Sequence, residues 1–286
     1  VSSAEMQAVE NNVILNAFRM SMLTSTTTQQ NQDMIMDEFR DEGGINTATS
    51  TNESYDSADF YENTTVAGCS VGGIDSYTKL LIHADESNGS TSLDDASDSN
   101  HTLTANGNAA TSNSNTKFDN NVVFDGSSDY LSVPGHDDFD FDGDFTIDFW
   151  FRTAGFDATP FSMGTVSNGI GTYLYTDAPG NRLVWGWDGS YERVNTGGGS
   201  ISINTWYHVA LVRSGTTVKV YLDGVETDTA EKSGDMGNGN IVSPGTYNNG
   251  QTYHLDGNMD EIRISKGIAR WTENFTAPTA AYTAST

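Results

Sequence analysis

Three aromatic residues around one turn are the most direct sign of ligand chemistry in this sequence. Trp185, Trp187 and Tyr191 belong to the stretch WGWDGSY. Trp185 and Trp187 are two positions apart, so on a β-strand their side chains share one face. Exposed aromatic rings stack on sugar rings, and the neighbouring Asp188 and Arg193 could bond sugar hydroxyls. The pattern predicts a ligand-binding site; the alternative is that both indoles lie in the core and face a second sheet.

Other residues that could do chemistry give weaker signals. Residues 173–177 and 248–250 are additional loop candidates for ligand contact. His208 and His83 both lie in predicted strands, where a packed histidine is the more common arrangement than a catalytic base. The sequence has no Gly-x-Ser-x-Gly elbow, His-Glu-x-x-His pair, phosphate-binding loop or dinucleotide fingerprint. We therefore predict no catalytic residues.

An acidic turn at residues 138–143, DFDFDG, matches the first half of a calcium-binding EF-hand loop. That loop needs a bidentate Glu at its twelfth position, and counting from Asp138 this position is Phe149. The stretch that follows has the pattern of a strand, not of an exiting helix. The sequence therefore predicts an ordinary acidic turn here.

The elements that would position these residues are short strands. Residues 206–223 give two of them: Val218, Val220 and Leu222 alternate with polar or aromatic positions, the period of a half-buried strand. Similar segments recur between Gly, Asn, Asp and Pro turns, with no helical pattern between them. We predict strands near 77–84, 102–106, 121–125, 130–133, 145–152, 161–164, 171–176, 182–187, 192–196, 206–213, 218–223, 225–229 and 251–265. This spacing is typical of a two-sheet antiparallel jelly-roll sandwich.

Composition limits the classes of partner. The 286 residues include 13 Lys and Arg against 39 Asp and Glu, a formal charge of −26. Such a surface repels phosphates, so neither nucleic acid nor anionic lipid is expected as a partner. Cys69 is the only cysteine, which excludes an internal disulfide and a Cys-based zinc site. No apolar run is long enough for a transmembrane helix, so no membrane insertion is expected.

The first 76 residues have a different texture. Ser2 and Glu5 form a capping box, and apolar residues then recur at helical spacing, which predicts a helical attachment or oligomerisation arm over residues 1–44. The alternative is that these helices pack on the main domain. Residues 45–76 are rich in Ser, Thr and Asn and are interpreted as an ordered linker held by neighbouring molecules. The jelly roll would then occupy residues 77–286.

Six stretches, taken in order, carry a family resemblance: KLLIHAD at 79–85, VFDGSSDYLSVP at 123–134, GDFTIDFWFR at 143–152, WYHVALVR at 206–213, VYLDG at 220–224 and MDEIRIS at 259–265. Together they resemble the laminin-G/pentraxin-like branch of the concanavalin A-like lectin and glucanase jelly rolls. The resemblance covers about residues 74–278 and implies two curved antiparallel sheets with a binding role, often for carbohydrate. Such domains often occur in bacteriophage virion and tail proteins, and residues 37–56 resemble the leader that precedes them.

The resemblance also has implications for metal and for catalysis. It implies a structural Ca²⁺ bound by Asp85, the backbone carbonyl of Gly126 and Asp260; the alternative for Asp260 is a simple hydrogen bond to a backbone turn. Related glucanases carry two catalytic glutamates around an aspartate on one strand. Here Asp148 remains, while Thr146 and Trp150 occupy the glutamate positions. A retaining glycosidase needs both carboxyl groups, so Asp148 is expected to face solvent or bind ligand.

Together these features predict a non-enzymatic virion structural protein, either a tail fibre, an appendage or a capsid decoration. The jelly roll would be displayed on the virion surface for host adhesion and glycan binding. Residues 1–76 would contact other virion proteins and copies of the same chain in a homo-oligomer. The alternatives are a secreted bacterial adhesin or carbohydrate-binding module and, less favoured, a glycoside hydrolase.

Overall fold

The computed structural model describes residues 74–164, 172–178, 180–187, 190–236 and 241–283. These residues form fifteen strands and one short 3-10 helix, Asp137–Phe139. The strand pairings are antiparallel, which confirms the predicted mainly-β fold. The strands are β1 (Thr78–Ile82), β2 (Thr104–Asn106), β3 (Ala110–Ser112), β4 (Asn121–Asp125), β5 (Tyr130–Ser132), β6 (Phe145–Thr153), β7 (Ala158–Met163), β8 (Thr172–Asp177), β9 (Arg182–Gly186), β10 (Val194–Asn195), β11 (Trp206–Ser214), β12 (Thr217–Leu222), β13 (Val225–Glu231), β14 (Val242–Pro244) and β15 (Asp256–Lys266).

Two sheets pack face to face. The larger sheet has the order β13-β12-β11-β6-β15-β4-β3, with β1 also paired to β15, and the smaller sheet has the order β10-β9-β8-β7-β14. A separate pair, β2 and β5, lies beside them. One hydrophobic core fills the space between the two sheets and takes residues from both, including Phe149 and Leu211 from the larger sheet and Phe161 and Leu174 from the smaller.

Strand β6 shows how the sequence divides into core and outer face. Phe145, Ile147, Phe149 and Phe151 are fully buried members of the core. Successive side chains on a strand point to opposite faces, so the residues between them, Asp148 included, lie on the outer face of the larger sheet. The predicted meander is also present: β11, β12 and β13 pair in sequence order.

Two short strands escaped prediction because neither carries a hydrophobic period. Strand β3 is Ala-Thr-Ser and lies at one edge of the larger sheet, and β14 is Val-Ser-Pro at an edge of the smaller. An edge position explains how Pro244 is accommodated, since proline lacks the N–H that an inner strand would need. Edge strands this short offer too few residues for alternation to be recognised.

The outer face of the larger sheet is covered by residues 267–283, here called the C-terminal segment. Its Trp271 and Phe275 rings stack with centroids 4.0 Å apart. They form a second, smaller apolar cluster with Ala210, Val212 and Tyr221 from β11 and β12. Because the sheet has apolar groups on both faces, it is buried on both sides in this region.

The two ends of the described domain lie side by side. The backbone N–H of Ile74 donates to the carbonyl of Thr283 at 3.0 Å. The arm predicted for residues 1–44 and most of the linker predicted for 45–76 lie outside the described residues. Within the described ranges, no helix combines the length and apolar character needed to cross a membrane.

Candidate ligand-binding surface

The two indoles expected at a surface site are instead part of the core. Trp185 is 0% exposed and Trp187 is 2% exposed, and both belong to the cluster between the sheets. Trp185 packs against Phe161 with ring centroids 6.2 Å apart. The aromatic platform predicted from these two residues is therefore corrected: they do share a face, but that face is the inner one, as in the alternative interpretation.

Tyr191, the third aromatic residue of that motif, lies at the surface among other tyrosines. It is 49% exposed, and its ring meets Tyr175 edge-on with centroids 5.7 Å apart. Tyr175 in turn meets Tyr253 at 5.2 Å, and Tyr253 meets Tyr247 at 6.1 Å. Tyr253 is 50% exposed. We call these four residues the tyrosine surface.

The smaller sheet positions the middle of the tyrosine surface. In β8, Leu174 is buried in the core, so Tyr175 points away from it to the outer face. The Tyr175 hydroxyl donates to Oδ1 of Asp157 at 3.0 Å. Burial, and then this carboxylate, raise the pKa of Tyr175 above its usual value. The ring is thus fixed at its far end as well as at the strand.

A loop between β14 and β15 brings in the other two tyrosines. The N–H of Tyr247 donates to the carbonyl of Thr252 at 3.0 Å, and the carbonyl of Tyr253 accepts from Thr159 at 2.8 Å. Gly250 in this loop has φ of +86°, and a Cβ there would lie 2.5 Å from the Tyr130 ring. The loop therefore needs glycine at that position both for its conformation and for space.

A charged rim borders the tyrosine surface on the β9 side. Arg182 bonds Asp177 at 3.0 Å and makes a two-point contact with Glu192 at 3.0 and 2.9 Å. Tyr191 adjoins Glu192 in the chain, and the pKa of Tyr191 is raised, first by burial and then by the charge of Asp177. The rim thus places acceptors and donors beside exposed rings, the combination that binds sugars.

The remaining sequence candidates divide between this region and others. The 173–177 stretch contributes Tyr175 and Asp177, and the 248–250 stretch lies in the loop that carries Tyr247 and Tyr253. Arg193 is exposed, and its N–H donates to the carbonyl of Trp185 at 2.8 Å. Asp188 lies outside the described residues.

The predicted calcium ligands do not all come together. Gly126 lies beside Asp256: its N–H donates to the carbonyl of Leu255 at 2.9 Å, and a Cβ at Gly126 would be 2.8 Å from that of Asp256. Strands β4 and β15 are antiparallel and pair Asp125 with Asp256, so Gly126 lies at the far end of β4 from Asp260. The assignment of the Gly126 carbonyl as a ligand is therefore wrong.

One of the two acidic residues of that prediction, Asp85, belongs with His83 and Glu261 to what we call the acidic group, and its charge acts on the other, Asp260. Asp260 is 1% exposed; its Oδ2 accepts from the N–H of Phe118 at 3.2 Å, and its Oδ1 has no hydrogen-bond partner. Burial raises the pKa of Asp260 to about 8, and the charges of Glu261 and Asp85 act in the same direction. Donor atoms of His83, Asp85 and Glu261 lie within 4.8 Å of one another.

A β-bulge accounts for this concentration of acid. The register of β15 shifts between Asp260 and Arg263, and Glu261 has φ of +51°. A bulge redirects side chains that strict alternation would separate. Glu261 then accepts from Nδ1 of His83 at 2.6 Å and from the N–H of Tyr282 at 2.7 Å. The unpaired, buried Asp260 oxygen is the feature that fits a hard cation such as Ca²⁺.

Asp148, the residue left at the glucanase position, was expected to face solvent or bind ligand. The structure corrects this expectation, because Asp148 is buried. It is 0% exposed and accepts from Arg263 at 2.9 and 3.2 Å. The Tyr282 hydroxyl also donates to it. His208 Nε2 lies 3.4 Å away, inside an aromatic cage that includes Trp271, so the prediction of a packed His208 is confirmed.

Sequence reasoning missed the parts that come from distant stretches. Tyr247, Tyr253 and Asp157 were not candidates, although a Tyr at each side of the Asn-Asn-Gly turn could have signalled an aromatic loop. The C-terminal segment was missed because its Trp271, Phe275 and Tyr282 follow no strand or helix period.

Comparison with known proteins places this sandwich in a family. A laminin-G-type model of the concanavalin A-like lectin/glucanase superfamily matches residues 125–273. No curated protein matches the chain. Among solved structures, the receptor-binding domain of botulinum neurotoxin mosaic serotype C/D has 15% identity and a TM-score of 0.50. The match covers 68% of this chain and 48% of that one, so the chain spans about half the length of the neurotoxin domain.

Two further structures are similar at lower scores. Domain 4 of AbnA, an extracellular arabinanase from Geobacillus stearothermophilus solved with arabinotriose, has 19% identity and a TM-score of 0.48 over 67% of this chain and 93% of that one. A heptameric pentraxin from Limulus polyphemus has 19% identity and a TM-score of 0.40 over 54% and 76%. Because the family model covers just over half of the 286 residues and the described fold is an antiparallel sandwich, the chain belongs to the concanavalin A-like lectin/glucanase superfamily.

Proposed function

We propose that the chain is a non-enzymatic binding protein whose sandwich domain presents the tyrosine surface to a glycan. The observation that carries this proposal is the contact chain of four tyrosine rings, two of them about half exposed, on the outer face of the smaller sheet. Rings held in fixed orientations by neighbours lose little freedom when a sugar stacks on them. The rim of Asp177, Arg182 and Glu192 offers hydrogen-bond partners for hydroxyl groups.

A binding role also agrees with the name of one protein of similar fold, the botulinum neurotoxin domain. The neurotoxin domain is described as a receptor-binding domain. The likeness is one of fold, and it supports binding as the class of function.

At the tyrosine surface itself, the rim carboxylates Asp177 and Glu192 are both bonded to Arg182, which argues against hydrolysis of the glycan there. Two other places also lack the acid pair that hydrolysis needs. The strand that carries acids in related glucanases has Asp148 buried in an ion pair with Arg263, and a retaining mechanism needs two carboxyl groups about 5–5.5 Å apart across the substrate. A small cleft on the other side of the molecule, lined in part by Val212, Lys219 and Trp271, has no carboxylate in its wall. Neither place offers an acid pair to a substrate.

We further propose that the binding domain is displayed on a bacteriophage virion, as part of a tail fibre, an appendage or a capsid decoration. The support is the sequence resemblance to domains found in such proteins, together with the leader-like residues 37–56. Residues 1–76 would bind other virion proteins and further copies of the chain. Many copies on one particle would raise the avidity of a weak single site for the host surface.

A structural Ca²⁺ is proposed near the bulge of β15. Asp85 and Asp260 would supply carboxylate oxygens, with Glu261 beside them, and the ion would neutralise the repulsion that now acts on Asp260. Bound there, the ion would tie the loop after β1 to β15. The backbone of Gly126 takes no part.

The glycan proposal is tested with the full chain on an array of immobilised glycans, with and without EDTA. We expect selective binding, and we expect Tyr253→Ala and Tyr191→Ala each to weaken it at least roughly tenfold, the effect of losing about 1.4 kcal/mol of stacking. Tyr77→Ala is the matched control, because Tyr77 is 45% exposed and lies next to β1 in the larger sheet. Absence of binding in every condition, or equal loss in the control, would refute the proposal.

The virion proposal needs a separate experiment. Antibodies raised against the full chain should label purified particles by immunogold electron microscopy. Antigen confined to the particle-free medium would instead support the secreted adhesin or carbohydrate-binding module.

A further inference from the structure

Two histidines and an aspartate converge at a place that neither the tyrosine surface nor the acidic group includes. Nε2 of His101 lies 3.1 Å from Oδ2 of Asp138, and Nδ1 of His136 lies 3.3 Å from the same oxygen. The three ligand atoms all lie within 4.8 Å of one another. We propose that His101, His136 and Asp138 bind a divalent transition-metal ion, with Zn²⁺ as the best fit.

The separations suit this ion. A tetrahedral site with bonds of about 2.1 Å has ligand atoms about 3.4 Å apart, and two of the three separations here are already close to that value. Two imidazoles and one carboxylate are ligands that Zn²⁺ accepts, whereas Ca²⁺ and Mg²⁺ prefer oxygen alone. Three protein ligands leave a fourth position for water, and His136, with 56% of its side chain exposed, leaves that side accessible.

The surrounding contacts hold two of the ligands in place. The Ser99 hydroxyl donates to Oδ2 of Asp138 at 2.8 Å. The His101 ring packs against Phe139 with centroids 4.8 Å apart, and its backbone N–H donates to Asp95 at 2.8 Å. Partners of this kind orient metal ligands and are part of a functional site.

The third ligand changes one contact on binding. His136 caps the 3-10 helix, and its Nδ1 accepts from the N–H of Asp138 at 3.2 Å. A metal ion would take over this nitrogen, so that one exposed hydrogen bond is lost in exchange for a coordinate bond. A net charge of −26 favours uptake of a cation over the whole molecule.

Binding would join two segments that are distant in sequence. His101 lies in the loop before β2, and the other two ligands belong to the turn before β6. An ion shared between them would act as a cross-link at this end of the sandwich, which predicts that Zn²⁺ stabilises the folded protein.

The test measures Zn²⁺ binding to the untagged full chain by calorimetry, and its melting temperature with Zn²⁺, Ca²⁺ or EDTA. We expect one Zn²⁺ site, a higher melting temperature in Zn²⁺, and visible Co²⁺ bands of tetrahedral intensity. His136→Ala and His101→Ala should each weaken binding at least ~10-fold, since even loss of an outer partner has this effect. His254→Ala is the control, because His254 lies near Tyr130 and outside the cluster.

His136→Ala loses one exposed capping hydrogen bond, so a small fall in melting temperature in EDTA is expected, and an unchanged circular dichroism spectrum would show that the variant is folded. Undiminished Zn²⁺ binding in the folded His136→Ala and His101→Ala proteins would overturn the proposal. So would equal loss in His254→Ala, or the absence of any Zn²⁺-dependent signal in the unaltered chain.

Discussion

Arg263 and Asp148 form a two-point ion pair on the outer face of the larger sheet, with N–O distances of 2.9 and 3.2 Å and no exposure of either side chain. The guanidinium carbon lies 3.7 Å from the centre of the Tyr282 ring. The pair is thus enclosed by the C-terminal segment and not by the opposite sheet. Where a related glucanase would expose acids to its substrate, this chain has a closed structural contact.

Removal of the arginine should destabilise the protein strongly. Arg263→Met leaves the Asp148 charge buried without its main partner, and we expect a loss of about 3–5 kcal/mol in the free energy of unfolding. Urea denaturation at neutral pH measures the loss. Arg193→Met, at an exposed position, should change stability by no more than about 0.5 kcal/mol. A loss below 1 kcal/mol for Arg263→Met would show that the segment opens to admit water.

The same ion pair predicts a loss of stability in acid. Burial opposes the charge of Asp148, but Arg263 and His208 outweigh it and lower the pKa of Asp148 to about 2. A carboxylate whose pKa is lowered by folding stabilises the folded state at every pH above the pKa that it has in the unfolded chain, here 3.8. This contribution to stability is lost as the pH falls toward 2. The expected loss is about 2 kcal/mol, measured by denaturation between pH 4 and 2. Asp148→Asn should remove this component while remaining less stable throughout.

Asp260 predicts the opposite dependence on pH. Its pKa is raised to about 8, so the folded state favours the protonated carboxyl, and stability should decline as pH rises from 4 toward 8. The full effect is on the order of 6 kcal/mol, at about 1.4 kcal/mol per pH unit between the two pKa values of 3.8 and about 8. In EDTA, Asp260→Asn should abolish the decline.

Ca²⁺ provides the complementary measurement on Asp260. If the ion binds as proposed, melting temperature at pH 8 should rise with Ca²⁺ in the unaltered chain and stay constant in Asp260→Asn. An equal rise of melting temperature in both proteins would show that Asp260 is not a Ca²⁺ ligand. The predicted pH dependence would be unaffected by that result.

Two glycines make a matched pair for testing how firmly the C-terminal segment is attached. Gly224 has φ of +82°, and a Cβ there would lie against the carbonyl oxygen of Phe275. Gly215 has φ of +61° with open space around it. Gly215→Ala should cost about 1–2 kcal/mol, the strain of the left-handed conformation alone.

Gly224→Ala should cost clearly more, because the segment has to move or the β12–β13 turn has to deform. Limited proteolysis should then cut within residues 267–283 in Gly224→Ala and leave Gly215→Ala intact. Equal stability of the two variants would mean that the contact with Phe275 is readily displaced.

The alternation of apolar and polar residues was the most reliable sequence signal for this fold. It predicted most strands of both sheets, and it identified the inner face of β12 through Val218 and Val220, which are both buried in the core. It also placed Trp185 and Trp187 on one face, but it could not say which face, because a buried strand and a surface platform have the same period. Only the opposite sheet decides that question.

Tyr191 and the stretches 173–177 and 248–250 were separate ligand candidates, but the sequence could not show that they meet in one tyrosine surface. Tyr175, Tyr191 and Tyr253 come from a strand and two loops, and they meet through β8 and the loop packed over it. No local pattern encodes a contact between residues so far apart in sequence. Similarly, the resemblance located Asp85 and Asp260 in one region, while the antiparallel register of β4 and β15 moved Gly126 to the other end.

The hydrogen bond between Ile74 and Thr283 brings the first and last described residues of the domain together. Both residues lie on the side of the larger sheet, whereas the tyrosines lie on the outer face of the smaller sheet. Any segment that continues from Ile74 or Thr283 therefore starts on the opposite side of the sandwich from the tyrosine surface.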